Sequence, residues 1–143
     1  MKLNTTWLRN IFGVLMILAG IQHFRDPAMY GPIIPDGLPK EIITYFSGAV
    51  EFLLGVGLFF QRSRLWAGFG VLILMIAFLP LHVADVFRDA PAMGSKLLAF
   101  LRLPVQFLLI GWAWWVYKDA RIMHARRQEK SGGRACGQQL TSK

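Results

Sequence analysis

Residues 42–60 read IITYFSGAVEFLLGVGLFF, a run long and apolar enough to cross a bilayer as one helix, with a carboxylate, Glu51, near its middle. Placing an acid at the centre of a hydrocarbon slab costs roughly 2.5–3.5 kcal/mol, so such a side chain faces a protein interior or a water-filled cavity. Helical steps of three and four from Glu51 reach Thr44, Ser47, Gly48, Gly55 and Leu58, a small, weakly polar stripe against which a second helix can pack closely. The opposite face, with Phe46, Phe52, Leu53 and Phe59, suits lipid or the bulky part of a core. The fold expected from this stretch is all-α, an antiparallel four-helix transmembrane bundle whose other helices supply Glu51 with partners.

The flanking sequence fits that plan. The chain has 143 residues, 55% hydrophobic and 17% charged, and its apolar residues come in blocks. Four helices are expected, at about 7–24, 42–60, 66–84 and 100–117, in one domain over residues 1–117. A basic tail over 118–143, partly disordered, follows. The first apolar run has the length of a signal peptide, but Gln22, His23 and Arg25 stand where small residues would mark cleavage, so it is read as a retained helix. Between helices one and two, four of the seven prolines (Pro27, Pro32, Pro35, Pro39) alternate with Met29, Tyr30, Ile33, Ile34 and Leu38. Proline at that density forbids a continuous helix while the apolar residues oppose full solvation, so the segment is expected to lie as a cap. Pro80 deprives the Ile76 carbonyl of its helical donor just ahead of His82.

Charge sets an orientation. The net charge is +8, and eleven of the sixteen Lys and Arg residues fall in the N-terminal lead, the 61–65 turn and the tail. In a soluble protein this would raise nucleic acid as a partner; in a membrane protein it marks the cytoplasmic side, so no nucleic-acid role is expected. The run 121–130 is read as a solvated or lipid-headgroup face. The expected location is the cytoplasmic (inner) membrane, multi-pass, with both termini cytoplasmic. The lone Cys136 excludes an intrachain disulfide, a CxxC pair and a zinc knuckle.

So oriented, the polar residues of the helices sort by depth. Gln22 and His23 end helix one, Glu51 lies roughly 14 Å from the outer end of helix two at about 1.5 Å per residue, His82 and Asp85 end helix three, and Arg102 and Gln106 open helix four. An outward-opening polar pocket is expected, with Glu51 as proton carrier, His82 or His23 as its hydrogen-bonding partner, and Gln22, Asp85, Arg102 and Gln106 lining it. Interfacial caps, a snorkelling Arg102 and a structural interhelical bond from Gln106 are the plainer readings. A metal site from His23, His82 and Glu51 is the weakest alternative; no metal is assigned.

Several segments together resemble the DoxX-like family of small four-helix membrane proteins: AGIQHFRDP (19–27), IIPDGLP (33–39), SGAVEFLLGVGLFF (47–60), RSR (62–64), FLPLHVADV (78–86) and LRLPVQFLLIGWAWW (101–115). The resemblance covers residues 7–117. It implies four helices with cytoplasmic termini and polar positions at His23, Glu51, His82, Arg102 and Gln106. Some members are linked to membrane oxidoreductases, among them a small subunit of a thiosulfate:quinone oxidoreductase and a radical-detoxifying complex; others resemble receptor-assembly chaperones. Related methylamine-utilisation proteins are associated with disulfide chemistry, which a single cysteine does not support.

Two functions follow as expectations: a membrane component of a quinone-linked or oxidative-stress redox system, or an assembly factor whose polar cluster fastens the helices. Whether the chain is itself an enzyme stays open. No haem, flavin or iron–sulfur signature is present, so a quinone is the cofactor class considered, with electrons handled by a partner. The expected partners are the lipid bilayer, another membrane or redox protein, and a second copy of the chain.

Overall fold

The computed structural model describes residues 5–92 and 94–141, with side chains up to residue 132. Its regular structure is helical: α1 Thr5–Arg25, α2 Lys40–Gly57, α3 Arg64–Val86 and α4 Lys96–Thr141, with single 3₁₀ turns at Pro27–Met29 and Gly31–Ile33. Three helices, α1, α3 and the Lys96–Gly132 part of α4, are long and apolar enough to cross a membrane. Glu51, together with Lys40 and Glu41, lowers the apolar character of α2.

Helices α1 and α2 pack most closely, and glycines make the approach possible. A Cβ on Gly20 would lie 2.7 Å from the Gly48 carbonyl oxygen, one on Gly55 2.9 Å from that of Gly13, and one on Gly48 would strike the Cβ of His23. These contacts pair the end of α1 with the start of α2, so the two run in opposite directions. Helices α3 and α4 make the second extensive contact, with Gly68 against Tyr117 and Met75 against Gln106.

The face of α2 expected to be buried is buried: Thr44, Gly48, Glu51, Gly55 and Leu58, with Ser47 half-buried. Phe46 and Leu53 on the other side are 70% and 66% exposed. Phe12, Met16, Leu58, Val71, Leu72, Met75, Ala113 and Val116 form the apolar core. That core fills the half of the molecule nearer the α2–α3 turn, while most buried polar side chains gather in the half nearer the connections α1–α2 and α3–α4, here the cap end.

Local chemistry sets the boundaries. Pro27 and Pro32 open the two 3₁₀ turns, where a fixed φ and a missing N–H cost nothing. Helix α2 stops at Gly57 rather than at residue 60 because its last carbonyls are taken by side chains: Ser63 Oγ donates to Gly57 O at 2.9 Å and Arg64 Nε to Leu58 O at 3.2 Å. Helix α4 departs most from expectation. It starts at Lys96 and, instead of ending at residue 117 before an unordered tail, it runs on to Thr141; Ser142 and Lys143 lie outside the described residues. From Arg121 to Lys130 the helix is solvated, but the stretch KDARIMHARRQEK is rich in Ala, Arg, Lys, Gln, Glu and Met and free of proline, so propensity carries the helix where packing does not.

Candidate functional site

The spacing of α1 brings Arg9, Phe12, Gly13, Met16, Gly20 and His23 onto one buried stripe, and His23 closes it at the cap end. Its Nε2 lies 3.4 Å from Oε1 of Glu51, and Glu51 is 4% exposed. On the other side of the ring, Nδ1 is 3.1 Å from the Thr44 carbonyl oxygen and 3.2 Å from Ser47 Oγ. A carbonyl can only accept, and the Ser47 hydroxyl already donates to that same oxygen at 2.9 Å, so Nδ1 carries a proton. His23 and Glu51 thus face each other across 3.4 Å in a buried site, with the far side of the imidazole fixed by the Thr44 carbonyl.

Tyr30 makes one wall of that site. Its ring stacks on that of His23 with centroids 3.6 Å apart and planes 18° from parallel. Burial first, then the negative charge of Glu51, push the Tyr30 hydroxyl above its usual value near 10, and Arg102 opposes the shift. Ile34 is buried in the same segment, and Arg88, just past the end of α3, donates to the Pro32 carbonyl and ties the cap to the α3–α4 connection. The proline-rich segment is thus folded over the Glu51 end.

The second group of polar residues lies between α3 and α4. Arg102 Nη1 is 3.5 Å from Oδ2 of Asp85 and its Nη2 3.5 Å from Nε2 of His82. Asp85 is 1% exposed, and its Oδ1 accepts the backbone N–H of Ala92 at 2.8 Å. Nδ1 of His82 is buried without a hydrogen-bond partner. Gln106 Nε2 donates to the Met75 carbonyl at 2.6 Å, one residue from the carbonyl that Pro80 leaves without its helical donor.

The sequence-expected residues thus divide. Glu51 is met by His23, whereas His82 is met by Arg102 and Asp85. Arg102 points inward, not to the headgroups, and Gln106 is committed to a backbone carbonyl. Gln22 is half-buried, and among the described residues its side chain takes no part in these hydrogen bonds. The three-ligand set of His23, His82 and Glu51 does not form: among the described residues no three His, Cys, Asp or Glu side chains are grouped to hold a metal. The reason is the pairing of helices, which gives His82 to α4.

Three residues escaped the sequence reading. Tyr30 appeared there only among the apolar residues between the prolines, because a ring in a proline-rich loop carries no periodicity. Arg9 counted there only among the basic residues of the N-terminal lead and Asp119 was not singled out, yet Arg9 is 5% exposed and Arg9 Nε and Asp119 Oδ2 are buried without hydrogen-bond partners. Helical spacing was the available signal: Arg9 is three residues from Phe12, and Asp119 is three from Val116, both core residues.

No curated protein and no solved structure matches the chain. One family model does, over residues 12–117, from the α1 residue that anchors the core to the α4 residue that packs on Gly68. By that match the chain belongs to the family described as a domain of unknown function, DUF8561.

Proposed function

We propose that the chain is an integral protein of the cytoplasmic membrane, an antiparallel four-helix transmembrane bundle of DoxX-like type with both termini cytoplasmic, and that it serves a quinone-linked or oxidative-stress redox system. The observation that carries the reading is the His23–Glu51 pair: a buried imidazole and a buried carboxyl group 3.4 Å apart beneath a stacked tyrosine. Such a pair can pass a proton to, or take one from, an oxygen entering at the cap end, which is what reduction or oxidation of a quinone headgroup requires. His23 and Glu51 are the proton-handling residues, Ser47 and the Thr44 carbonyl fix the imidazole, and Tyr30 excludes water. Arg102, whose charge reaches Tyr30, would orient a bound oxygen from the other helix pair, held there by His82 and Asp85. The electrons come from a partner protein.

The test is binding of a short-chain quinone to the purified chain in lipid nanodiscs, by saturation-transfer NMR. Wild type is expected to bind and Glu51→Gln to lose about tenfold in affinity, the scale of one charge-assisted contact, with an unchanged melting temperature. Equal binding by both removes the redox reading.

The commitment of Gln106 and Asp85 to backbone groups favours a second reading, an assembly factor that holds another membrane protein and whose polar residues only fasten the helices. That reading expects one stoichiometric partner on purification and full tolerance of Glu51→Gln.

A further inference from the structure

At the end of the molecule opposite Glu51, a groove of about 600 Å³ opens between the start of α1, the α2–α3 turn and the stretch of α4 beyond Tyr117. Its cations arrive from three elements: Arg9 from α1, Arg64 from α3, and Arg126, Arg127 and Lys130 from α4. No carboxylate among the described residues lines it. Among the described residues, none of the five sits in an ion pair.

Arg9 is the informative member. It is buried, its Nη2 donates only to the side chain of its neighbour Asn10 at 3.2 Å, and its Nε has no partner. The charge of Asp119 reaches it without forming an ion pair, and that of Arg64 repels it. A guanidinium largely removed from water and left short of acceptors is costly unless an anion completes it. Arg64 is partly engaged, since Nε and Nη2 donate to the Leu58 and Phe59 carbonyls. Arg126, Arg127 and Lys130 are exposed, and Arg126 and Lys130 are one helical turn apart. Five cations gathered around one cavity repel each other, and an anion entering it relieves that repulsion.

Depth identifies the anion. Trp7, Trp66 and Trp114 are exposed at this same end, where indole rings mark the headgroup layer. The groove therefore lies level with lipid phosphates, and basic pockets between spanning helices at this level take anionic headgroups. We propose that it binds the phosphate headgroup of an anionic phospholipid, with Arg9 as buried anchor and Arg126, Arg127 and Lys130 as rim. The proposal rests on the membrane-spanning reading of the helices and is independent of the redox reading of Glu51.

The experiment uses the full chain in nanodiscs of phosphatidylcholine alone or mixed with phosphatidylglycerol, with retained lipid read by native mass spectrometry. Wild type is expected to retain phosphatidylglycerol preferentially. The double variant Arg126→Gln, Arg127→Gln, which alters only exposed positions, should lose that preference by about tenfold. Arg62→Gln with Lys118→Gln removes the same charge at the same end outside the groove and should keep the preference. Equal loss in both double variants overturns the proposal in favour of diffuse surface charge, and retention in both overturns it outright. Saturable binding of inorganic phosphate by the wild type in phosphatidylcholine discs makes the groove a free-anion site and overturns the lipid assignment. Failure to enter phosphatidylcholine discs at all rejects the spanning reading, and with it the proposal.

Discussion

The ring of Tyr30 lies on the ring of His23, 3.6 Å between centroids, so a residue of the α1–α2 connection closes the site that α1 and α2 build. Tyr30→Ala removes the stack and opens the cap. We expect a loss of about 1 kcal/mol of stability, the scale of an aromatic pair. Faster modification of Glu51 by a hydrophobic carbodiimide, followed by peptide mass spectrometry, should accompany it. Tyr30→Phe keeps the ring and should leave the labelling rate as in wild type.

The hydroxyl of the same residue makes the cap sensitive to alkali. Its folded-state value lies above the ordinary tyrosine value near 10, because burial and the charge of Glu51 disfavour the phenolate. The neutral form is therefore favoured by folding: its contribution is complete below pH about 10 and is lost as pH rises through the folded value. Thermal melting across the alkaline range should show a decline in wild type that Tyr30→Phe lacks. Identical declines would mean that Tyr30 is not held by the site.

Glycine-to-alanine exchanges should separate contact glycines from free ones. Gly48→Ala drives a methyl group into His23, and Gly20→Ala drives one into the backbone of α2, so each should cost about 1–3 kcal/mol. Gly111→Ala meets nothing within 4 Å and should gain up to about 1 kcal/mol from helix propensity. Melting temperatures of the three variants in one detergent provide the comparison.

Arg102 neutralises a carboxylate that is 1% exposed. Arg102→Gln leaves Asp85 buried without its counter-charge and should destabilise by about 1–3 kcal/mol, less than a fully buried pair because Arg102 is itself part-exposed. Asp85→Asn in the Arg102→Gln background should recover part of that loss. A double-mutant cycle in thermal stability measures the coupling; strict additivity would show that the two charges act independently.

Much of this was legible in the sequence, and the gaps have physical causes. The buried face of α2 follows from steps of three and four around Glu51, since lipid-facing and protein-facing positions differ in chemistry there. Which histidine meets Glu51 does not follow, because His23 and His82 end their helices at similar depth and only the choice of helix pairs decides between them. The length of α4 was concealed by composition: a charged, apolar-poor stretch reads as tail, yet its residues are good helix formers. Arg9 and Asp119 were concealed by position, since charges near the ends of a span read as anchors even when their spacing aligns them with the core.

The interlocked backbones of α1 and α2 have a mechanical consequence. With Gly20 against Gly48 and Gly13 against Gly55, these two helices cannot slide past each other without separating, so His23 and Glu51 travel as a unit, like teeth on one gear. Arg102 rides on the other pair, which meets the first through the common core of Phe12, Met16, Leu58, Val71 and Ala113 as well as through the cap. A change in tilt between the pairs would therefore leave His23 and Glu51 together and vary only their distance from the guanidinium.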